Sequence, residues 1–308
     1  MPGTIAGYMS QVIRKAVIPA AGFGTRMLPA AKAIPKEMLP VLDLPTIQYV
    51  VQECCDAGAD DVVLVTSRDK KAVEDHFDSH AELESRLASG GKLELLRSLH
   101  ELSRRVKVHS VRQPCQRGLG DAVLQAQRHV GNEPFLCLLG DTIFSGLPVP
   151  AVQLVQSFER VRTSVIGVER VSPEKVERYG IVAGVEIAPG LFRLNTLVEK
   201  PRPGEAPSNL AIAARYLLTP TVFDCLRQTA SGKGGELQLT DALRLLLERE
   251  PVHAVVLDAK RHDIGNPIDW LKTNLLFAAR RAEFWSQLEP TLRALLEEKN
   301  VSKRVASS

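Results

Sequence analysis

Residues 12–40, VIRKAVIPAAGFGTRMLPAAKAIPKEMLP, decide how this chain is read. The apolar run from Val12 to Pro19 predicts a buried strand. Gly22, Gly24 and Thr25 follow it without a side chain bulky enough to keep phosphate oxygens away from backbone N–H groups. Arg26 and Lys36 then place positive charge beside that turn, and the combination predicts a site for a nucleoside triphosphate. Met27 stands where a G-x-G-x-x-G run would carry its third glycine, and no G-x-x-x-x-G-K-[ST] run follows. The second strand ends in Thr66-Ser67-Arg68 rather than in an acid, so a nicotinamide-dependent oxidoreductase is also disfavoured.

Outward from this stretch, short β-rich runs alternate with amphipathic ones. Thr46 to Ala57 and Val62 to Thr66 come first, then a helical region from Asp69 to about Arg105 and the run Val106 to Val111. A helix from about Asp121 to His129 and the strand Phe135 to Leu139 follow. This rhythm predicts a mixed, mostly parallel sheet with helices on both faces, which binds ligands at the carboxyl ends of its strands. Gly22, Gln113 and Asp141 each fall just past such an end and should meet in one crevice. Beyond Thr163 the strands crowd together (164–169, 181–187, 196–199, 211–218), as a smaller β extension would require, and helices are expected over 220–229, 239–250 and 267–288. The expected organisation is an extension at 1–11, a catalytic domain at 12–280 and a helical tail at 281–308. Phe284, Leu288 and Leu292 share one face of that tail, which predicts packing on a neighbour and hence a homo-oligomer.

A chain of 308 residues, 44% hydrophobic and 24% charged, reads as an ordinary globular protein. Its net charge of +3, dispersed among acids, argues against a nucleic-acid partner. No apolar run approaches the ~20 residues needed to span a bilayer, and MPGTIAGYMSQ lacks the form of a signal peptide, so a cytoplasmic protein without a membrane partner is expected. The five cysteines form no C-x-x-C and suggest neither disulfides nor zinc.

The elements G-x-G-T-R-M-L-P and K-E-M-L-P are joined by PTIQYVVQECCDAG (45–58), LVEKP (197–201), APSNLAIAARYLL (206–218), GGELQLTDAL (234–243) and HDIGNP (262–267). Together they resemble the sugar-phosphate nucleotidyltransferases, and among these the bacterial UTP:glucose-1-phosphate uridylyltransferases, over residues 12–280. The resemblance implies a Rossmann-like, GT-A-like fold and a reaction that joins UTP and glucose 1-phosphate into UDP-glucose and pyrophosphate. The attacking phosphate is largely dianionic at neutral pH, its second pKa being ~6, so no general base is needed. The protein must align that phosphate with the α-phosphorus and supply positive charge to the departing pyrophosphate. Arg26 suits the β- and γ-phosphates, and Lys36 the α-phosphate or the attacking group.

By the same resemblance Asp141, closing FLCLLGD, and Asp263, in HDIGNP, hold Mg2+, whose hard charge prefers carboxylate and phosphate oxygens. Ala20, Ala21, Glu37, Gln113 and Gly118 surround the nucleotide with Gly22, Gly24 and Thr25, while Gly180, Glu199 and Lys200 bind the sugar phosphate. The amide of Gln113 offers a donor and an acceptor to O4 and N3–H of uracil. Lys36-Glu37-Met38-Leu39-Pro40 speaks for uridylyl transfer over dTTP, CTP or GTP as donor. A non-catalytic nucleotide-sugar-binding paralogue is the remaining alternative. Three departures bear on this choice. Asp121 replaces the family's usual histidine, and its place after Gly118-Leu119-Gly120 predicts a helix N-cap, the alternative being a carboxylate facing the nucleotide. Gly140 replaces a proline, which should loosen the backbone before Asp141. Thr142, rather than a second acid, follows Asp141.

Overall fold

The computed structural model describes residues 13–232 and 235–306. The expected extension at 1–11 lies outside them. Thirteen strands are described: β1 (Lys15–Pro19), β2 (Pro40–Val41), β3 (Leu44–Pro45), β4 (Asp61–Thr66), β5 (Lys107–Arg112), β6 (Phe135–Leu138), β7 (Thr142–Ser145), β8 (Val165–Arg170), β9 (Gly180–Ala188), β10 (Leu191–Glu199), β11 (Leu210–Leu218), β12 (His253–Val256) and β13 (Lys260–Asp263). The helices among them are α1 (Thr46–Asp56), α2 (Lys71–Asp75), α3 (Ala81–Ser89), α4 (Leu93–Arg105), α5 (Leu119–Gln125), α6 (Gln127–Val130), α7 (Pro150–Val161), α8 (Thr221–Gln228), α9 (Leu239–Leu247), α10 (Pro267–Ala278) and α11 (Ala282–Ala306).

Nine strands form one sheet in the order β5-β4-β1-β6-β11-β8-β12-β10-β9. β5, β4, β1 and β6 are parallel, β11 is antiparallel to both β6 and β8, and β12 is parallel to β8. β10 is antiparallel to β12 and to β9, so β10 and β11 run against the other seven strands. The strands beyond Thr163 therefore continue the central sheet. Alternation along β1 explains its burial on both sides: Ala16 and Ile18 join one apolar cluster with Ile47 of α1 and Leu154 of α7. Val17 joins the other with Val123 of α5, Phe223 of α8 and Leu243 of α9.

The helices differ from the sequence reading in three places. The helical region 69–105 divides into three helices, and Gly91, at φ 70°, separates the last two. The stretch 267–288 breaks at residues 279–281, where Arg281 turns out to pair with Asp43 at 2.7 Å. α7 had no sequence expectation. It opens on Pro150, which suits a first helical turn but reads as loop beside Pro148. Phe284 and Leu288 face a cavity of about 400 Å³ shared with Leu42 and Leu275, so that part of the tail packs on its own chain. No described helix is long and apolar enough to cross a membrane.

Candidate active site

The turn after β1 begins with Ala20, whose N–H still donates to Val65 O at 2.8 Å and prolongs the β1–β4 pairing. Gly24 then adopts φ 68°, a left-handed conformation that costs glycine little, and caps the short turn Thr25–Met27. Met27 anchors the turn in the interior while Gly22, Thr25 and Arg26 stay exposed. Ala20 and Ala21 are buried, and Ala21 O accepts from Gln116 Nε2 at 2.8 Å, which fastens the 113–118 loop to the phosphate turn.

Lys36 and Glu37 open a second short turn, Lys36–Met38, and use their charges differently. Glu37 is buried against Lys70 at 2.7 Å. Burial lifts the Glu37 carboxyl above its ordinary range, against the pull of Lys70 and Lys36. Lys36 reaches Asp141 as an ion pair and hydrogen bond. Burial would depress the Lys36 ammonium, but Asp141 and Glu37 outweigh it and raise its pKa. For Asp141 burial pushes upward and is outweighed by Lys36 and Arg26, leaving the carboxyl below its usual range. Both groups are charged at neutral pH.

Asp141 and Asp263 are brought together by a two-stranded ribbon in which Asp263 lies opposite Thr142, and Ile264 N–H donates to Asp141 O at 3.0 Å. Arg26 closes on the same point: a Cβ on Gly265 would lie 2.9 Å from Arg26 Nη2 and 2.8 Å from Asp263 Oδ1. Two carboxylates beside an exposed arginine and the half-buried Lys36 are hard oxygen donors, and they fit a divalent ion that would complete its shell with phosphate. Gly140 does not loosen this turn. Its N–H donates to Pro19 O at 3.3 Å, a bond a proline could not make.

Beneath the ribbon lies Arg215, fully buried, within the quoted motif 206–218 but not singled out there. A register shift in β11 between Ile212 and Arg215, with Ala214 at φ 59°, interrupts the strand just before this residue. Its guanidinium bonds Glu53 of α1 at 2.9 and 2.8 Å and Thr142 O at 2.7 Å, and lies 4.7 Å from the Phe144 ring centre. Glu53 also accepts from Ala151 N–H at 3.1 Å, so four elements meet at one ion pair directly under Asp141.

A cavity of about 650 Å³ opens beside this ribbon, lined by Arg26, Asp141, Gly180, Glu199, Lys200 and Asp263 among others. Six expected residues thus border one space. Gly180 and Glu199 are cross-strand partners in β9 and β10. Glu199 accepts from Thr240 Oγ1 at 2.7 Å, and Lys200 lies 3.4 Å from it. The cavity also has walls the sequence did not reveal. Arg178, Tyr179, Arg261, Thr240 and Asn266 line it, and the Arg261 guanidinium stacks 4.4 Å from the Tyr179 ring centre. Thr240 and Asn266 sit inside quoted motifs, whereas nothing local marks Arg261.

The expected nucleotide residues, Gln113 and Gly118 among them, do not line this cavity, although Leu119 beside Gly118 does. Gly118 is itself the N-cap of α5, and the helix starts at Leu119 with no side-chain cap. Asp121 is therefore not the N-cap that its position suggested. It is the third residue of the first turn, 3% exposed, and accepts from Gln113 Nε2 at 2.7 Å and Arg117 Nη2 at 3.1 Å. The loop is pinned from the other side by Leu237, whose O accepts from Gly120 N–H at 2.8 Å and whose N–H donates to Arg117 O at 2.7 Å. A Cβ at Gly118 or Gly120 would come within 2.7 or 2.8 Å of that same oxygen.

The sequence model of the nucleotidyl transferase family matches residues 15–280. UTP–glucose-1-phosphate uridylyltransferase 1 of Staphylococcus saprophyticus is 48% identical over 269 residues, 87% of this chain and 93% of its own. Among solved structures, a UTP-bound UGPase from Acinetobacter baumannii superimposes with a TM-score of 0.84 at 35% identity, covering 91% of this chain and 98% of that one. A UDP-glucose pyrophosphorylase complexed with UDP-glucose gives a TM-score of 0.80 at 37% identity, over 87% of this chain and all of the other.

Proposed function

This chain belongs to the nucleotidyl transferase family, and from that premise we propose that it transfers the uridylyl group of UTP to glucose 1-phosphate, releasing pyrophosphate. The observation that carries the reading is the meeting of Arg26, Asp141 and Asp263 with Glu199 and Lys200 around one cavity, with Lys36 ion-paired to Asp141. The exposed backbone at Gly22 to Thr25 cradles the triphosphate, Arg26 bonds its outer phosphates, and Lys36 holds the α-phosphate or the incoming one. The sugar 1-phosphate enters between Gly180 and Lys200, and Glu199 accepts hydrogen bonds from its hydroxyls. Its phosphate oxygen attacks the α-phosphorus in line, forming the new P–O bond as the bond to pyrophosphate breaks. No side chain need take a proton.

Asp141 and Asp263 would hold Mg2+, which supplies charge neutralisation to both phosphate groups. Until it binds, the Lys36 ammonium compensates Asp141. The same reading treats the sheet as a GT-A-like variant of the Rossmann arrangement, because the phosphate turn leaves β1 at the carboxyl end of the parallel β5-β4-β1-β6 set. All five cysteines are free thiols, which suits a reducing cytoplasm. Exposed Leu295 and Leu296 on α11 suit a homo-oligomer.

A pyrophosphate-release assay with glucose 1-phosphate and each of UTP, dTTP, CTP and GTP, with Mg2+ and with chelator, tests the reading. Turnover confined to UTP with Mg2+ is expected. Equal or better turnover with another triphosphate overturns the assignment.

A further inference from the structure

We propose that Asp121 sets the choice of nucleobase at this site by fixing which end of the Gln113 amide the base meets. The inference rests on the uridylyltransferase reading above and names the residue that enforces it.

Gln113 has little freedom to begin with. Its backbone N–H donates to Thr66 O at 2.8 Å, extending the β4–β5 pairing, and the residue is 5% exposed. Its amide nitrogen lies 2.7 Å from Asp121 Oδ2 and 3.2 Å from Gly118 O. A carboxylate and a backbone carbonyl can only accept, so the NH2 end must face them, and both of its hydrogens are used. No described residue donates to Gln113 Oε1. The side chain therefore offers a bare acceptor, without the donor to O4 that its amide suggested in the sequence, to a base that rests against Gly118.

That arrangement discriminates between pyrimidines of nearly equal size. Uracil presents a ring N3–H, which an acceptor receives. Cytosine presents a bare N3 beside its amino group, and pairing at N3 requires Gln113 to turn its NH2 outward. The turn would set Oε1 against the Asp121 carboxylate, acceptor on acceptor in a buried place, and would leave Gly118 O with the Ala122 N–H alone. Arg117 and Gln125 both donate to Asp121 Oδ1, so they hold the carboxylate without competing for Oδ2. An amide in place of Asp121 removes the constraint, because it can donate as well as accept.

The test measures kcat/KM for UTP and for CTP with glucose 1-phosphate in the wild type, Asp121→Asn, Asp121→Ser and Gln113→Ala, alongside UTP and CTP binding by titration calorimetry. For Asp121→Asn, CTP use is expected to rise, and the UTP:CTP ratio to fall about tenfold, in turnover and in binding alike. A merely structural lesion lowers both nucleotides together. Asp121→Ser provides the same comparison should the amide variant fold poorly. Folded variants that keep the parental ratio, or lose both nucleotides in proportion, overturn the role of Asp121. A parental ratio in Gln113→Ala overturns the base contact itself. A wild type that binds UTP over CTP but releases no pyrophosphate overturns the transferase reading and leaves the Asp121 inference standing on the binding data.

Discussion

Replacing Arg215 by methionine tests how the reaction centre is supported. The substitution keeps most of the apolar volume but removes the cation that meets both oxygens of Glu53, and it orphans Thr142 O. Glu53, 7% exposed, then keeps a buried charge with the Ala151 N–H as its remaining hydrogen-bond donor. Breaking one side of a buried pair costs about 3–5 kcal/mol, and an unpartnered buried carbonyl adds about 1–3 kcal/mol. Against a typical total of about 5–15 kcal/mol the variant should stay folded with a much reduced margin. Removing the stranded charge as well, in Arg215→Met with Glu53→Leu, should recover part of that loss. The single costs will then exceed the double cost by about 3 kcal/mol. Urea unfolding followed by the fluorescence of Trp270 and Trp285 gives all four corners of the cycle. A single-variant cost below about 1 kcal/mol, or strict additivity, would refute the view that this pair carries the ribbon.

Four further outcomes are expected. Lys36→Ala should lower kcat at least about tenfold in a folded protein, since it removes a charge whose contacts tighten as the phosphorus is attacked, and parental rates would remove Lys36 from the chemistry. Asp141→Asn and Asp263→Asn should each shift the Mg2+ titration of activity to higher concentration, and unchanged titrations in both would move the metal elsewhere. Glu199→Gln should raise KM for glucose 1-phosphate more than KM for UTP, because the amide accepts through one oxygen where the carboxylate has two, whereas equal effects point to a structural role. His253 is buried at the start of β12, bonded to Thr163 Oγ1 at 2.8 Å, and burial together with Arg193 holds its pKa below the ordinary 6.5. The unfolded chain then takes up that proton first, so stability is present above pH 6.5 and declines as the pH falls through the ordinary histidine range. The decline should be shallower in His253→Gln, and identical pH profiles of the melting temperature would contradict this account.

Much of the site was legible because its parts are local. The glycine turn, Arg26, the Lys36 turn and the two aspartates each sit in a short motif whose residue types state their chemistry, and strand ends gather them. What escaped notice depends on partners far along the chain. Arg215 lies in the apolar run ARYLL, and nothing nearby reveals that it meets a glutamate 162 positions away. That Asp263 closes a strand could be expected, but nothing in KRHD shows that β13 pairs with β7, which is what sets Asp263 beside Asp141. Asp121 was misread because a glycine turn followed by an acid suggests a cap. Gly118 already fills that position, which moves the carboxylate inside α5 and onto Gln113.

The carbonyl of Leu237, wedged against two glycines, has a consequence for how specificity here can change. Its neighbours Gln238 and Thr240 line the cavity and Thr240 holds Glu199, while Gly118 and Gly120 belong to the loop that carries Gln113. One peptide unit serves as a keystone between the two halves, with no side chain to absorb a shift in either. Under the function proposed above, a drift in the 113–120 loop is transmitted through Thr240 to Glu199, so donor and acceptor preferences cannot be retuned independently through this segment. A chain that evolved toward another nucleotide by moving residues 113–120 would have to rebuild residues 236–240 in the same step.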